Sequence, residues 1–339
     1  MKGIVRSAAV AVVAAQALVA GQGRDVNQVL AEVRSALGGD KIASLRTLVG
    51  EGRASRTGPG GQTVESEFEV AMELPDKYRL RTAIAPMGNM TIYRHTGFNG
   101  GDLIEEIDRP PNLAGGNVVI RIGGPGGSVL DPQKMTPEQK AEADRARLLA
   151  AKREFARLTL GLFANSPAAY PLTFSYVGRA ESADGEAEVI GVSGEGGFEA
   201  RLFVDAATHL PLMLTWMDRE PIVIQAGRGG ATVAAGGGGT AMIRSIDGTA
   251  GPGGGRSGRL SAEEMEKLQK EVEAKRAEAE ATRRTVEFRV YYADYRPVGG
   301  VKLPHRIQRA IDGKTTEEMV FDTVKVNSKI DAGKFKPTK

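Results

Sequence analysis

Three histidines in a chain without cysteine set the limits of what this sequence can catalyse. His95, His209 and His305 stand far apart, and none falls in a spacing such as H-E-x-x-H, which places two imidazoles on one helix face for zinc. Each reads as a turn or surface histidine. His209 follows Asp205 closely and the two can pair, but no Gly-x-Ser-x-Gly turn offers a nucleophile for such a pair to activate. Gly123-Gly124-Pro125-Gly126-Gly127-Ser128 has the glycines of a phosphate cradle without the lysine that reaches the phosphates, and no helix follows at once. Residues 227–239 are also glycine-rich, but no βαβ pattern surrounds them as a dinucleotide site requires. Asp294 and Asp322 can share a sheet face, yet no D-x-D-x-D run gathers oxygens for calcium. No catalytic residue, metal ligand set or cofactor is therefore expected. A hydrolase built on a histidine and an acid stays as the weakest alternative.

The start of the chain points to export. Lys2 and Arg6 precede an apolar stretch from Ala8 to Ala20 that only Gln16 interrupts, and small residues follow. That stretch is short for a membrane span and matches a signal peptide, assigned to residues 1–23. The expected location is the periplasm, as a soluble protein, and the fold cannot rest on disulfides. Lys and Arg number 45 against 42 Asp and Glu, so loss of Lys2 and Arg6 leaves the chain near neutrality. That balance, with aromatics at 5%, argues against nucleic acid as a partner.

The elements that would position any site are mostly strands. Val26, Val29, Leu30, Val33 and Leu37 make one face of an opening helix, which Gly38-Gly39 ends. Phe68, Val70, Met72 and Leu74 alternate with Glu67, Glu69 and Glu73. Beyond the Pro75-Asp76 turn, Tyr78, Leu80 and Thr82 alternate with Arg79 and Arg81, which can oppose the glutamates on the outer face. Further strands are expected over 90–95, 102–107, 172–179, 187–192, 198–204, 210–217, 222–225, 286–295, 301–311 and 315–326. Two glycine-rich interruptions, 115–164 and 227–284, each lead into a capped helix. Thr136-Pro137-Glu138-Gln139 carries a capping box with proline at the first helical position. Leu148, Ala151, Phe155, Leu158 and Leu162 stripe the helix it opens. The predicted fold is mainly β (α+β): ten to twelve antiparallel strands in one domain over 24–339, covered by helices.

Four segments resemble the periplasmic lipoprotein-carrier superfamily, the outer-membrane lipoprotein-sorting proteins. They are Leu74-Pro75-Asp76-Lys77-Tyr78-Arg79-Leu80; the run from Phe203 to Leu212 with Asp205, Thr208 and Leu210-Pro211; the hairpin from Tyr292 to Pro304 with Asp294-Tyr295-Arg296 and Gly300-Val301-Lys302-Leu303-Pro304; and the tail with Val326-Asn327, Ile330-Asp331 and Phe335-Lys336-Pro337. The resemblance implies a strongly curved, incomplete antiparallel barrel that holds acyl chains or other lipids in its concave face. The implied partner is a lipid or an acylated protein, with transient membrane contact.

On that implication, Phe68, Val70, Met72, Leu74, Tyr78, Leu80, Leu212, Leu214 and Trp216 are the expected apolar lining. Burying a methylene contributes about 0.8 kcal/mol, so a few carbons of a tail suffice. The same alternation serves an ordinary closed core beneath the helices, and the sequence leaves the two open. A second alternative is an envelope protein-interaction module that docks a partner through residues 227–284.

Overall fold

The computed structural model describes residues 18–19, 23–57, 62–87, 90–108, 136–182, 185–226, 231–235, 242–244, 270–271, 274–275 and 277–336. In chain order the elements are β1 (Leu18–Val19), α1 (Val26–Leu37), α2 (Asp40–Ala43), β2 (Thr47–Thr57), β3 (Thr63–Glu73), β4 (Lys77–Met87), β5 (Met90–Asn99) and β6 (Asp102–Ile107). Then come α3 (Pro137–Phe163), β7 (Leu172–Ser182), β8 (Gly185–Gly194), β9 (Phe198–Asp205), β10 (Pro211–Arg219), β11 (Ile222–Ala226), β12 (Ala231–Ala235) and β13 (Met242–Arg244). The last three strands are β14 (Thr285–Val298), β15 (Val301–Ile311) and β16 (Lys314–Val326). One antiparallel sheet of 13 strands runs β1-β7-β8-β9-β10-β14-β15-β16-β2-β3-β4-β5-β6. Its two edges do not meet, and β11, β12 and β13 form a small sheet of their own. Apart from β1 and Gly23, the expected leader lies outside the described residues, as do 115–135 and most of 227–276.

Helix α1 forms where its apolar spacing predicts. Asp25 caps it by accepting from the Asn27 amide at 2.9 Å, and Gly38 ends it at φ 137°. Its stripe of Val29, Leu30, Val33 and Leu37 is buried against the sheet. The alternation of β3 and β4 is equally faithful. Phe68 pairs with Thr82, Val70 with Leu80 and Met72 with Tyr78 on the inner face, while Glu69 faces Arg81 outside. The outer ion pairs differ from expectation: Lys334 takes Glu69 at 2.7 Å, and the Arg81 guanidinium lies 3.4 Å above the Tyr93 ring. The C-terminal segment crosses this face, where Phe335 packs on Ala71 and Ile104, so it competes for the carboxylate.

Strand β2 has no counterpart in the sequence reading. Its inward positions carry Gly50, Gly52 and Ala54 because the neighbouring strand needs their space. A Cβ on Gly50 would stand 2.6 Å from the Phe321 ring, and one on Gly52 would stand 2.0 Å from the Val320 carbonyl oxygen. Phe321 fills the room and meets Phe68 edge-on at 5.0 Å.

Contacts of α3 show how far the sheet bends. Phe155 touches the Phe98 ring on β5 at 5.3 Å, while Arg157, two residues on, lies 4.2 Å over Trp216 on β10. Seven strand spacings separate β5 from β10, roughly 34 Å in a flat sheet. One helical turn spans about 5 Å, so the sheet must wrap around the helix. The result is an incomplete, curved antiparallel barrel with α3 crossing its hollow side.

Thr136 and Gln139 form the predicted capping box of α3, with Pro137 at its start. The first turns are exposed, whereas Phe155 to Phe163 are largely buried. Removing the cap by Thr136→Ala should weaken the helix end by about 1 kcal/mol. Because this end packs little, we expect faster amide exchange over the first turns rather than a lower global midpoint. Unchanged exchange there would show that the box contributes nothing.

Candidate functional site

Where α3 spans the concave face, side chains do not meet. A cavity of about 340 Å³ remains between helix and sheet. Its apolar wall includes Val70, Tyr78, Leu80, Val290, Ile307 and Met319 from the sheet, with Ala150, Ala151 and Leu158 from α3. Of the nine residues expected to line a trough, Val70, Tyr78, Leu80 and Trp216 face this cavity. Phe68, Met72 and Leu214 are buried in the packed core, and Leu74 packs against that core from its edge. The inner face is thus filled on the α1 side and hollow beside α3.

Leu212 does not join them. It is 39% exposed, although Leu214 and Trp216 on the same strand are buried. The pairing of β10 with β9 slips between Pro211 and Met213, and such a bulge reverses the faces of the residues before it.

The wall also holds charged residues that strand alternation alone did not single out. Val290, Arg309, Glu317 and Arg56 are directly paired across β14, β15, β16 and β2, so they form one row on the inner face. Arg56 donates to Glu317 at 2.6 Å, and the Arg309 Nε lies 3.4 Å from the other oxygen of Glu317. Arg309 donates to Glu154 of α3 at 3.3 Å, and Arg157 donates to the same carboxylate. A second group joins Arg94 to Glu105 at 3.2 Å and Arg147 of α3 to Glu105 at 3.0 Å, with Asp144 taking another nitrogen of Arg147. The helix is thereby tied to the sheet on both sides of the cavity.

The electrostatics follow from this enclosure. Arg309 lies deep in the molecule, yet 38% of its side-chain surface is uncovered, because that surface faces the hollow. Burial works against its charge, but Glu154 and Glu317 outweigh burial and raise its pKa. Burial likewise pushes the Glu154 and Glu317 carboxyls up, but their arginine neighbours hold both below the ordinary range. Arg94 is lowered chiefly by burial, which Glu105 opposes. Burial also drives the Tyr78 and Tyr292 hydroxyls well above their ordinary value.

The charged wall was detectable in the sequence. Arg309 stands in phase with Val301, Leu303 and Ile307, Arg94 with Ile92 and Phe98, and Glu317 with Met319 and Phe321. A charge in the apolar phase of a strand is the mark of a polar group turned inward.

The histidines are dispersed. His209 occupies a turn at φ 57°, as expected, with Nδ1 3.7 Å from Glu32. His95 and His305 are buried instead. Nε2 of His95 lies 2.9 Å from Asp108, and Nδ1 of His305 lies 3.0 Å from the Leu303 carbonyl oxygen. Asp205 accepts from Thr208 and Ala207 within its own turn rather than orienting His209. Among the described residues, no group of three or more His, Cys, Asp or Glu is placed to hold a metal ion. No described helix is long and apolar enough to cross a membrane.

The fold and its cavity define an open antiparallel barrel with a helix laid across its hollow. No family model and no curated protein matches the sequence. Among solved structures, the chain is similar to a LolA superfamily protein from Nitrosomonas europaea, at 10% identity and a TM-score of 0.43 over 91% of this chain and 97% of that one. It is also similar to a putative outer membrane lipoprotein-sorting protein domain from Vibrio parahaemolyticus, at 8% identity and a TM-score of 0.40 over 92% and 97%. A DUF1329 family protein from Desulfovibrio piger aligns at 7% identity and a TM-score of 0.41 over the same shares.

Proposed function

We propose that this protein is a non-catalytic carrier that holds an acyl chain, free or attached to a lipid or lipoprotein, in the cavity beneath α3. The observation that supports it is the cavity of about 340 Å³ whose sheet wall is lined by Val70, Leu80, Val290, Ile307 and Met319. That volume lies within the range of roughly 300 to 1,000 Å³ typical of small-molecule sites. The basic start and apolar stretch of residues 1–23 support action in the periplasm after export. Both the 24–339 domain and the insertions at 115–164 and 227–284 belong to this reading, the first insertion supplying the covering helix.

Native mass spectrometry of gently purified protein should reveal a co-purified acyl ligand, and the emptied protein should bind a fluorescent fatty acid. Leu80→Trp fills the hollow from the sheet side. It should lower that affinity at least tenfold, about 1.4 kcal/mol, while the protein stays folded. A wild-type protein that is always empty and ignores the fatty acid contradicts the carrier role. Unaltered affinity in Leu80→Trp would place the tail elsewhere.

A further inference from the structure

The cavity wall carries more positive charge than it neutralises. Arg56, Arg94, Arg147, Arg157 and Arg309 line it against Glu105, Glu154 and Glu317. Asp144, outside the lining, occupies one nitrogen of Arg147, and a positive excess remains even when it is included. A second, independent observation concerns hydrogen bonds. Four buried side-chain atoms of lining residues lack a hydrogen-bond partner among the described residues: Arg94 Nε, Arg157 Nε, Arg309 Nε and Trp216 Nε1. Arg309 Nε has only the 3.4 Å approach to Glu317, without hydrogen-bond geometry.

All four are N–H donors, and no side-chain carboxylate of a lining residue is among the unsatisfied groups. Buried donors without acceptors are rare in native proteins and call for an explanation. The four atoms are themselves enclosed, but each belongs to a side chain of the cavity wall, where guanidinium is in excess. Arg157 is also held on aromatic faces, 4.2 Å over Trp216 and 5.5 Å over Phe198, with Trp216 stacked on Phe288 at 5.4 Å. Such stacking fixes a guanidinium in place without using its hydrogens.

We infer that the preferred guest is a single-chain amphiphile with an anionic head, a carboxylate or a phosphate monoester. The head lies toward Arg94, Arg157 and Arg309, and the tail lies along Val70, Leu80 and Ile307. This inference rests on the carrier reading and narrows it. Charged oxygen acceptors pair with guanidinium more strongly than neutral ones, so the head decides between acid and alcohol while the tail contributes equally to both. The volume is at the small end of the usual range, roughly 300 to 1,000 Å³, and suits one chain rather than several.

The chain's one tryptophan is Trp216, which lines the cavity, so its emission reports what enters. The full chain, stripped of lipid, would be titrated with hexadecanoate, 1-hexadecanol and hexadecyltrimethylammonium, and with acetate and inorganic phosphate as anions without a tail. Hexadecanoate should bind at least tenfold tighter than hexadecanol, with no saturable response to the cation or the tailless anions. Arg94→Met leaves Glu105 paired with Arg147 and should cut the preference for hexadecanoate over hexadecanol severalfold without altering the affinity for hexadecanol. Equal affinity of acid and alcohol would overturn the headgroup preference and leave acyl binding standing. Saturation by acetate or phosphate at comparable concentration would make this a site for free anions and overturn the amphiphile. No response to either acid or alcohol would overturn both this inference and the carrier reading. Should Arg94→Met fail to fold, the wild-type ratio of acid to alcohol decides alone.

Discussion

Gly161→Ala is expected to destabilise the protein by about 1–3 kcal/mol, the usual penalty for overpacking a core. The sign is not obvious, because alanine favours a helix by about 1 kcal/mol over glycine. Geometry decides it. A Cβ at position 161 would stand 1.9 Å from Cζ of Tyr292 and 2.4 Å from its hydroxyl oxygen. That ring is buried, and its hydroxyl donates to the Arg157 carbonyl of the same helix at 3.3 Å. The ring cannot swing aside without breaking that bond and opening the core, so α3 must lift from β14. Lifting α3 also moves Glu154 and Arg157 away from the cavity, so the proposed acyl binding should weaken together with stability. Urea unfolding of Gly161→Ala, Tyr292→Leu and the pair provides the check. The double variant should be more stable than the sum of the singles predicts, by more than about 0.5 kcal/mol. Strict additivity would mean that helix and ring do not compete for this space.

This contact illustrates what the sequence could and could not convey. Elements whose chemistry is local were readable. Gly38 ends α1, Thr136 with Gln139 opens α3, and the strict alternation of β3 and β14 marks both strands and their inner faces. Features that depend on a distant neighbour were not. Strand β2 is silent because Gly50 and Gly52 give their volume to Phe321 and Val320, far along the chain. Leu212 was assigned to the wrong face because a bulge depends on the register with β9, which alternation cannot reveal. His95 is covered by groups brought together on the outer face, among them Asp108.

The cavity was legible only in part. Alternation states which face a residue shares but not whether that face closes on itself, and closure depends on how tightly the sheet wraps α3. Val70, Tyr78, Leu80 and Trp216, which line the cavity, could be set on the inner face because they occupy apolar phases. Arg309, Glu317 and Arg94 were missed because charged residues on a strand are ordinarily assigned to solvent. Their phase with Ile307, Phe321 and Phe98 marks them as inward, and only the cavity makes that position tolerable. A charge on an inner face is costly unless it is paired or wet, so a run of them indicates a hollow.

Arg309→Met is expected to lower stability by roughly 2 kcal/mol near neutral pH, below the ~3–5 kcal/mol typical of breaking a fully buried pair. Two facts reduce the figure. Arg309 faces the hollow, and each carboxylate keeps another arginine: Glu154 keeps Arg157, and Glu317 keeps Arg56. Methionine preserves most of the apolar stem, so the loss reports charge rather than packing. The pH dependence separates this from a packing defect. Burial alone would raise the Glu154 and Glu317 pKa values, but the arginines, Arg309 among them, bring both below the ordinary value. A carboxylate depressed on folding contributes stability above its unfolded pKa of about 4.3 and loses it as pH falls through the folded value. The wild type should therefore lose this contribution on acidification from about pH 5 downward. Arg309→Met has less to lose, so the two stability curves should converge as pH falls through the folded-state values of these carboxyls. Urea unfolding at several pH values across that window measures the gap directly. A gap that stays constant from neutrality to acid would assign the cost to packing and remove Arg309 as the link between α3 and the charged row of the sheet.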